Sequence, residues 1–456
     1  MTEITLNNTL RNLYHLDGGD EEDIALVYVV PVADIQMSAG IPPSRKYMYQ
    51  SPALPTNDSD VLAREFLQLA PQLFGFISGD MPLFMFDLDS TPVETFTTSG
   101  PRQYRLDADL VFSRLNPAQR PRPTFVARPA DVKISSTTKV VQVNPMDCME
   151  RFPQLIPSDD HYRVLSKRGL AKSGLPTPKS IIHDLELDLR QLSSQEAVDY
   201  EIKRISALIA KHQIPFVLKL PQSLSGQGTL LVRRESDREA AIKVLQPELR
   251  RMASQITEEN MHLQPCSIIV QQMIPGEAVA VSFFVTRAGR AVFNACCGQL
   301  IDDEGGWGGG FIDYNAQDDL AQIYGDIMNQ VATYLHENNY WGPVGIDIMT
   351  DAQGQQLVID MNVRVSGSHP LGVLKNFFQE RGLDLAMLWF PFIVKGTRES
   401  FEKAFRDELQ AGYIVIIGWV HMRDRKTSMS TVILGEKNGK RLRQLMTRVK
   451  EWEVAE

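Results

Sequence analysis

Apolar and polar positions fall in blocks whose spacing changes several times along this chain. IALVYVVPV (24–32) is a β-branched apolar run closed by proline, directly after the acidic turn DGGDEED (17–23), and it predicts a buried strand. Residues 60–77 repeat apolar side chains at helical intervals, and PLFMFDLD (82–89) predicts the next strand, so the chain opens as an α/β layer. Residues 90–129 are polar and punctuated by proline, which predicts loop. No internal repeat or low-complexity tract is evident.

Residues 151–180 change character. A helical pattern begins at Ser158, Asp159 and Asp160 and is stopped by Gly174, Pro176 and Pro178, which marks a domain boundary. From Phe216 the order is strand, glycine-rich loop and strand (PFVLKLPQSLSGQGTLLVRR), then a helix over 236–257 and strands at IIVQQMI and AVAVSFFV. A helix over 318–338 precedes a hairpin over 344–365 with the polar turn TDAQGQQ. The apolar run GLDLAMLWFPFIV (382–394) predicts a helix, and YIVIIGWVHM with MSTVILG predicts an antiparallel pair.

Composition narrows the function. The 456 residues are 43% hydrophobic, enough for two or three domain-sized cores. Asp plus Glu (56) exceed Lys plus Arg (47), and the formal charge of −9 opposes non-specific binding of nucleic acid, which needs surplus cations. The four cysteines have no CxxC spacing, which points to a reducing cytoplasmic setting without a thiolate metal site. The N-terminus lacks a cationic start followed by an apolar core, and no apolar run reaches the roughly 18 residues of a membrane span, so a soluble protein without membrane attachment is expected.

Two elements carry chemistry. On the hairpin, Asp360 and Asn362 are two apart on one strand face, and the turn brings Asp347 beside them, so three oxygen-bearing side chains converge. Hard oxygen ligands of this kind suit Mg²⁺ completed by phosphate oxygens, and Arg364 on the same face could grip a phosphoryl group. By itself this face also reads as an ordinary solvated strand. The second element is Lys219 at a strand end before Ser225, Gly226, Gln227, Gly228 and Thr229, where backbone N–H groups can cradle an anion. It is not a Walker A loop, because the lysine precedes the glycines, and alone it also reads as a hairpin turn.

Together and in this order, the motifs over 166–372 resemble the ATP-grasp superfamily of carboxylate-amine ligases. The resemblance implies an α/β fold with two α+β halves gripping ATP, preceded by an α/β pre-grasp domain. It implies domains at 1–150, 151–275 (lid half) and 276–396 (metal-bearing half); residues 397–456 have no family counterpart and form an extension of unassigned role, which could complete the core or make a homodimer contact. SKRGLAKSGLPTP would put Lys167 on the nucleotide phosphates, with Lys219 as the second lysine and SGQGT as the lid. IIVQQMIPGEAVAVSFF would be the adenine hinge, reading the base through the backbone groups of Gln272 and Ile274, with Gln271 also at the nucleotide and Glu277 on the ribose. The family usually has an acid where Gln271 and Gln272 stand. Asp347, Asp360 and Asn362 would hold Mg²⁺, or Mn²⁺ in its place, and Arg364 would steady the transferred phosphoryl group.

VRVSGSHPLG (363–372) is similar to the corresponding run of pheganomycin-type peptide ligases, which makes Ser366, Ser368 and His369 substrate-side candidates; a histidine before proline is otherwise a packing or capping residue. The glycine-dense QLIDDEGGWGGGFIDY (299–314) offers Trp307 and the acids Asp302, Asp303 and Glu304 as a substrate loop, or else an exposed connection. The basic clusters at 421–426 and 437–444 read as solvated surface. The implied activity is ATP-dependent amide or peptide bond formation through an acyl phosphate, releasing ADP and phosphate, on a small carboxylate and an amine in a biosynthetic pathway such as that of a natural product. The alternatives are a small-molecule kinase, a carboxylase (although no biotin-attachment motif is evident), or a nucleotide-binding module without turnover.

Overall fold

The structure is a computed structural model that describes residues 2–19, 23–28, 41–50, 68–86, 103–223, 228–301, 306–422 and 426–454. Three sheets organise it. The first is parallel, in the order Arg122–Val126, Pro82–Phe86, Ile24–Tyr28, Lys139–Gln142. Every residue of Ile24–Tyr28 is buried, as expected of an inner parallel strand covered on both faces. Helical residues 68–75 and the helix Gln103–Phe112 bury their apolar sides in the same large core. Of the loop-rich stretch expected over 90–129, residues 90–102 lie outside the described residues, and the remainder departs from the expectation in holding a helix and the strand Arg122–Val126. The polarity that suggested loop belongs to the outer face of that helix and to a sheet-edge strand, where half the positions meet solvent.

The second sheet is antiparallel, ordered Ser180–Asp184, Ser267–Gln272, Phe216–Lys219, Thr229–Val232. The helices Gln195–Ala210 and Glu235–Ser254 cover one face of it through Val198, Ile202, Ile205, Leu245 and Leu249. The third sheet has eight strands, ordered Gln356–Asn362, Gly342–Thr350, Val279–Val285, Ala291–Ile301, Trp307–Asp313, Leu385–Lys395, Thr427–Glu436, Ile414–Met422. IIVQQMI and AVAVSFFV thus join different sheets, and residues 273–278 cross between them.

The helix expected over 382–394 is instead the strand Leu385–Lys395. It lies inside the eight-stranded sheet with neighbours on both sides, and a short apolar run buried that way has no periodicity to separate it from a buried helix. Its ladder shifts register between Trp389 and Phe392, around Pro391, which has no N–H to donate. The expected helix over 318–338 is divided into Gln317–Ile323 and Gly325–Glu337. The expected pair near the C-terminus forms, and its strands extend the sheet that carries Asp347 and Asp360. No helix among the described residues is long and apolar enough to cross a membrane.

Candidate nucleotide and cation site

Pairing across the hairpin sets Asp347 directly opposite Asp360 and Gly345 opposite Asn362. On its other side Asp347 is paired with Ala280, whose small side chain leaves the acid open to the cleft between the second and third sheets. Lys219 ends its strand and reaches across that cleft, its Nζ donating to the Ile359 carbonyl. Lys167 opens the short helix Lys167–Lys172, which Ser166 caps by accepting from the Gly169 N–H at 2.8 Å. Its Nζ stands 3.3 Å from Asp360 Oδ1 and donates to the Ser223 carbonyl at 3.2 Å. The two lysines and the two acids, drawn from both sheets, therefore form one cluster.

The electrostatics are those of a buried cluster of paired charges. Desolvation and then the Asp360 carboxylate push the Asp347 pKa up to about 7, against Lys219, Lys167 and the Gln299 hydrogen bond. Desolvation also acts on Asp360, but Lys167 and Lys219 more than offset it and hold its pKa low. Lys219 is only 6% exposed, and burial brings its pKa down to about 8 despite Asp360. Two adjacent carboxylates, one of them with its pKa raised by burial and by the charge of the other, fit a divalent cation. Among the described residues no cluster of three or more His, Cys, Asp or Glu side chains gathers. A cation on Asp347 and Asp360 would therefore draw its other ligands from amide, water or phosphate oxygen, as Mg²⁺ does.

Asn362 and Arg364 are bonded to each other: Arg364 Nη2 donates to Asn362 Oδ1 at 2.9 Å, and Nη1 donates to the Val365 carbonyl at 3.1 Å. The amide oxygen expected to face a metal is thus engaged by the guanidinium. His161, buried on the helix Ser158–Leu165, is bonded through Nε2 to the Val363 carbonyl at 2.7 Å, fixing the backbone between Asn362 and Arg364. Burial lowers its pKa to about 4, so it is neutral and Nε2 donates.

The loop after Arg364 folds over His369, which is buried with a pKa lowered to about 4 by desolvation. His369 Nδ1 accepts from the Ser366 N–H at 3.0 Å and lies 2.8 Å from Ser366 Oγ, which is 3.1 Å from Ser368 Oγ. This geometry makes His369 a support beneath Ser366 and Ser368. Trp307 joins the same loop. Its ring lies so close to Gly367 that a Cβ there would approach within 2.2 Å, and Phe390 backs it at 5.6 Å between ring centroids.

On the second sheet the register Lys219↔Ile269 and Val217↔Gln271 puts the Gln271 side chain on the Lys219 face. Gln271 is buried and donates to Ser180 Oγ at 3.3 Å, whereas Gln272 is exposed. Ile274 is half-buried and Glu277 exposed on the crossing segment. Gly228 packs against Ser223, where a Cβ would approach within 2.3 Å, and Thr229 is paired with Lys219. Ser225, Gly226, Gln227, Asp302, Asp303 and Glu304 lie outside the described residues.

Several contributors escaped the sequence reading. Gln299 Nε2 donates to Asp347 Oδ1 at 3.0 Å, and the Ser223 carbonyl takes Lys167. Neither has a local signal, because each meets its partner through strands distant in sequence. Trp307 carries a testable expectation: Trp307→Ala should reduce turnover about tenfold and leave ATP affinity unchanged, since the ring contacts the 366–369 loop and not the lysines. Equal losses in turnover and in ATP affinity, measured by steady-state kinetics and calorimetry, would mean that the ring only supports the fold.

Residues 196–362 match a family model described as L-aspartate–L-methionine ligase, ATP grasp. No curated protein matches the chain significantly. Among solved structures the chain is similar to N5-carboxyaminoimidazole ribonucleotide synthetase in complex with ADP, at 12% identity over 99% of each chain with a TM-score of 0.50. The Aspergillus clavatus N5-carboxyaminoimidazole synthase in complex with ADP and 5-aminoimidazole ribonucleotide is 11% identical, over 84% of this chain and 95% of its own, with a TM-score of 0.49. The first similarity establishes the fold, and the family-model match spans the strands that carry Lys219, Asp347 and Asp360. The chain therefore has the ATP-grasp fold, and over residues 196–362 it is similar to an ATP-grasp amino acid ligase family.

Proposed function

We propose that this protein is an ATP-dependent ligase that joins a carboxylate to an amine, with ADP and phosphate as co-products, and that both substrates are amino acids or short peptides. The observation that carries the reading is the cluster of Asp347 and Asp360 with Lys167 and Lys219, continued by Asn362 at the strand's end and by Arg364, bonded to it, just beyond. Cations and acids so arranged match the charge pattern of a triphosphate with its metal. The family description names an aspartate–methionine ligase, which supports an amino acid on each side of the bond.

In this reading a substrate carboxylate attacks the γ-phosphorus of ATP, and an amine then displaces phosphate from the acyl phosphate. Lys167 and Lys219 meet the negative charge of the phosphates, and Arg364, oriented by Asn362, holds the phosphoryl group in transfer. A Mg²⁺ on Asp347 and Asp360 supplies further neutralisation of phosphate charge when bound. Gln271, held by Ser180, offers its amide to the nucleotide side of the cleft. Ser366 and Ser368, supported by His369, with Trp307 beside them, line the acyl and amine side.

The test is incubation of the purified protein with ATP, Mg²⁺ and amino acids singly and in pairs, reading phosphate release and product mass. ADP with an amide mass supports the ligase. ADP with a phosphorylated substrate replaces it with a kinase, and AMP with pyrophosphate rules out acyl-phosphate chemistry.

A further inference from the structure

A short segment from the N-terminal part, residues 41–50, runs between the parallel sheet and the root of the glycine-rich loop. One end is held by Asp147, whose carboxylate accepts from Ser44 Oγ at 2.6 Å and from the backbone N–H groups of Arg45, Lys46 and Tyr47 at 2.7, 2.9 and 3.1 Å. Further along, Tyr162 Oη donates to the Met48 carbonyl at 2.6 Å, and Tyr49 Oη to the Pro145 carbonyl at 2.8 Å. The segment ends in Gln50, which is 0% exposed.

Gln50 bonds the loop root in both directions. Its Oε1 accepts from the Gln222 N–H at 2.7 Å, and its own N–H donates to the Gln222 carbonyl at 3.2 Å, making a parallel bridge with Ser223. Its Nε2 donates to the Pro265 carbonyl at 3.4 Å. A buried amide costs free energy unless its donors and acceptors are matched, and here they are matched to main chain alone. Ser223 in turn supplies the carbonyl that holds Lys167 beside Asp360 and packs against Gly228, where the loop re-enters its strand.

We infer that Gln50 is a positioning residue, which fixes the backbone of Gln222 and Ser223 and, through Ser223, the ammonium of Lys167. The nucleotide consequence rests on the ligase reading above; the positioning itself does not. The N-terminal part of the chain thereby bears on the phosphate end of the cleft, although Gln50 itself touches main chain only. Displacing catalytic groups by about 1 Å can cost on the order of 100-fold in rate, so a hydrogen bond remote from the chemistry can matter this much.

Three variants test the assignment. Gln50→Leu removes the side-chain acceptor and donor at similar volume, Gln50→Glu keeps the acceptor for the Gln222 N–H, and Ser44→Ala loosens the far end of the same segment. Amide hydrogen exchange of Gln222 and Ser223, measured without nucleotide, should accelerate at least tenfold in Gln50→Leu, return toward wild type in Gln50→Glu, and be unchanged in Ser44→Ala. MgATP titration should show at least tenfold weaker binding for Gln50→Leu alone, with kcat at saturating ATP falling less than the rise in KM. Unchanged exchange in Gln50→Leu, or equal acceleration in Ser44→Ala, would overturn the inference. Absence of ATP binding by the wild-type protein would instead defeat the ligase reading, and the exchange data would still decide the positioning role.

Discussion

Replacing Asp360 by asparagine is expected to reduce amide formation by about 1,000-fold while the protein still unfolds cooperatively. The substitution is nearly isosteric, so packing of the hairpin is kept, but the site loses the carboxylate that faces Asp347 across the ladder and pairs with Lys167. Removing one preorganised electrostatic contact in an enzyme typically costs about 100- to 1,000-fold, and Asp360 both pairs with Lys167 and faces Asp347. The same change relieves Asp347 of its charged neighbour, the largest cause after desolvation of its raised pKa. ADP production and product mass measure the rate, and circular dichroism during heating measures the fold. An Asp360→Asn protein with more than a tenth of wild-type activity would remove Asp360 from the machinery.

Lys219→Met should separate stability from activity. Methionine keeps an unbranched side chain of similar length in a nearly closed space, and it removes an ammonium whose burial brings its pKa to about 8. The lost hydrogen bond to the Ile359 carbonyl costs about 1 kcal/mol, against which stands relief of the buried charge, so the melting temperature should move by only a few degrees. Turnover should fall by about 100-fold or more, with weaker MgATP binding. In the wild-type protein the ammonium is protonated below about pH 8 and lost above it, so kcat/KM for ATP should decline on the alkaline side and Lys219→Met should lack that limb. An activity loss matched by a collapse in melting temperature would show instead that Lys219 is needed mainly for folding.

Much of the candidate site was legible because its signals are local. Asp360 and Asn362 share a face through strand periodicity, and the polar turn at 350–356 announces the hairpin that brings Asp347 opposite Asp360; the strand ends at Asn362, so Arg364, expected on the same face, lies beyond the ladder. Lys219 before a glycine-rich turn is legible for the same reason. Elements whose identity depends on burial were not. Leu385–Lys395 reads as helix until its two neighbouring strands are known, and the polar stretch 103–126 hides a helix and an edge strand.

The sequence by itself determined the paired acids on a hairpin, the lysine before the glycines, their order along the chain, and the α/β character of the opening layer. Only the tertiary structure decided which groups satisfy them: Gln299 on Asp347, Ser223 and Asp360 on Lys167, His161 behind Val363, and Gln50 on Gln222. Periodicity is a property of neighbours in sequence, so it survives in a linear reading. The partner of a buried polar group is set by whichever distant element arrives with a matching donor or acceptor, and Gln50 and Gln222, 172 residues apart, meet only when the chain is folded.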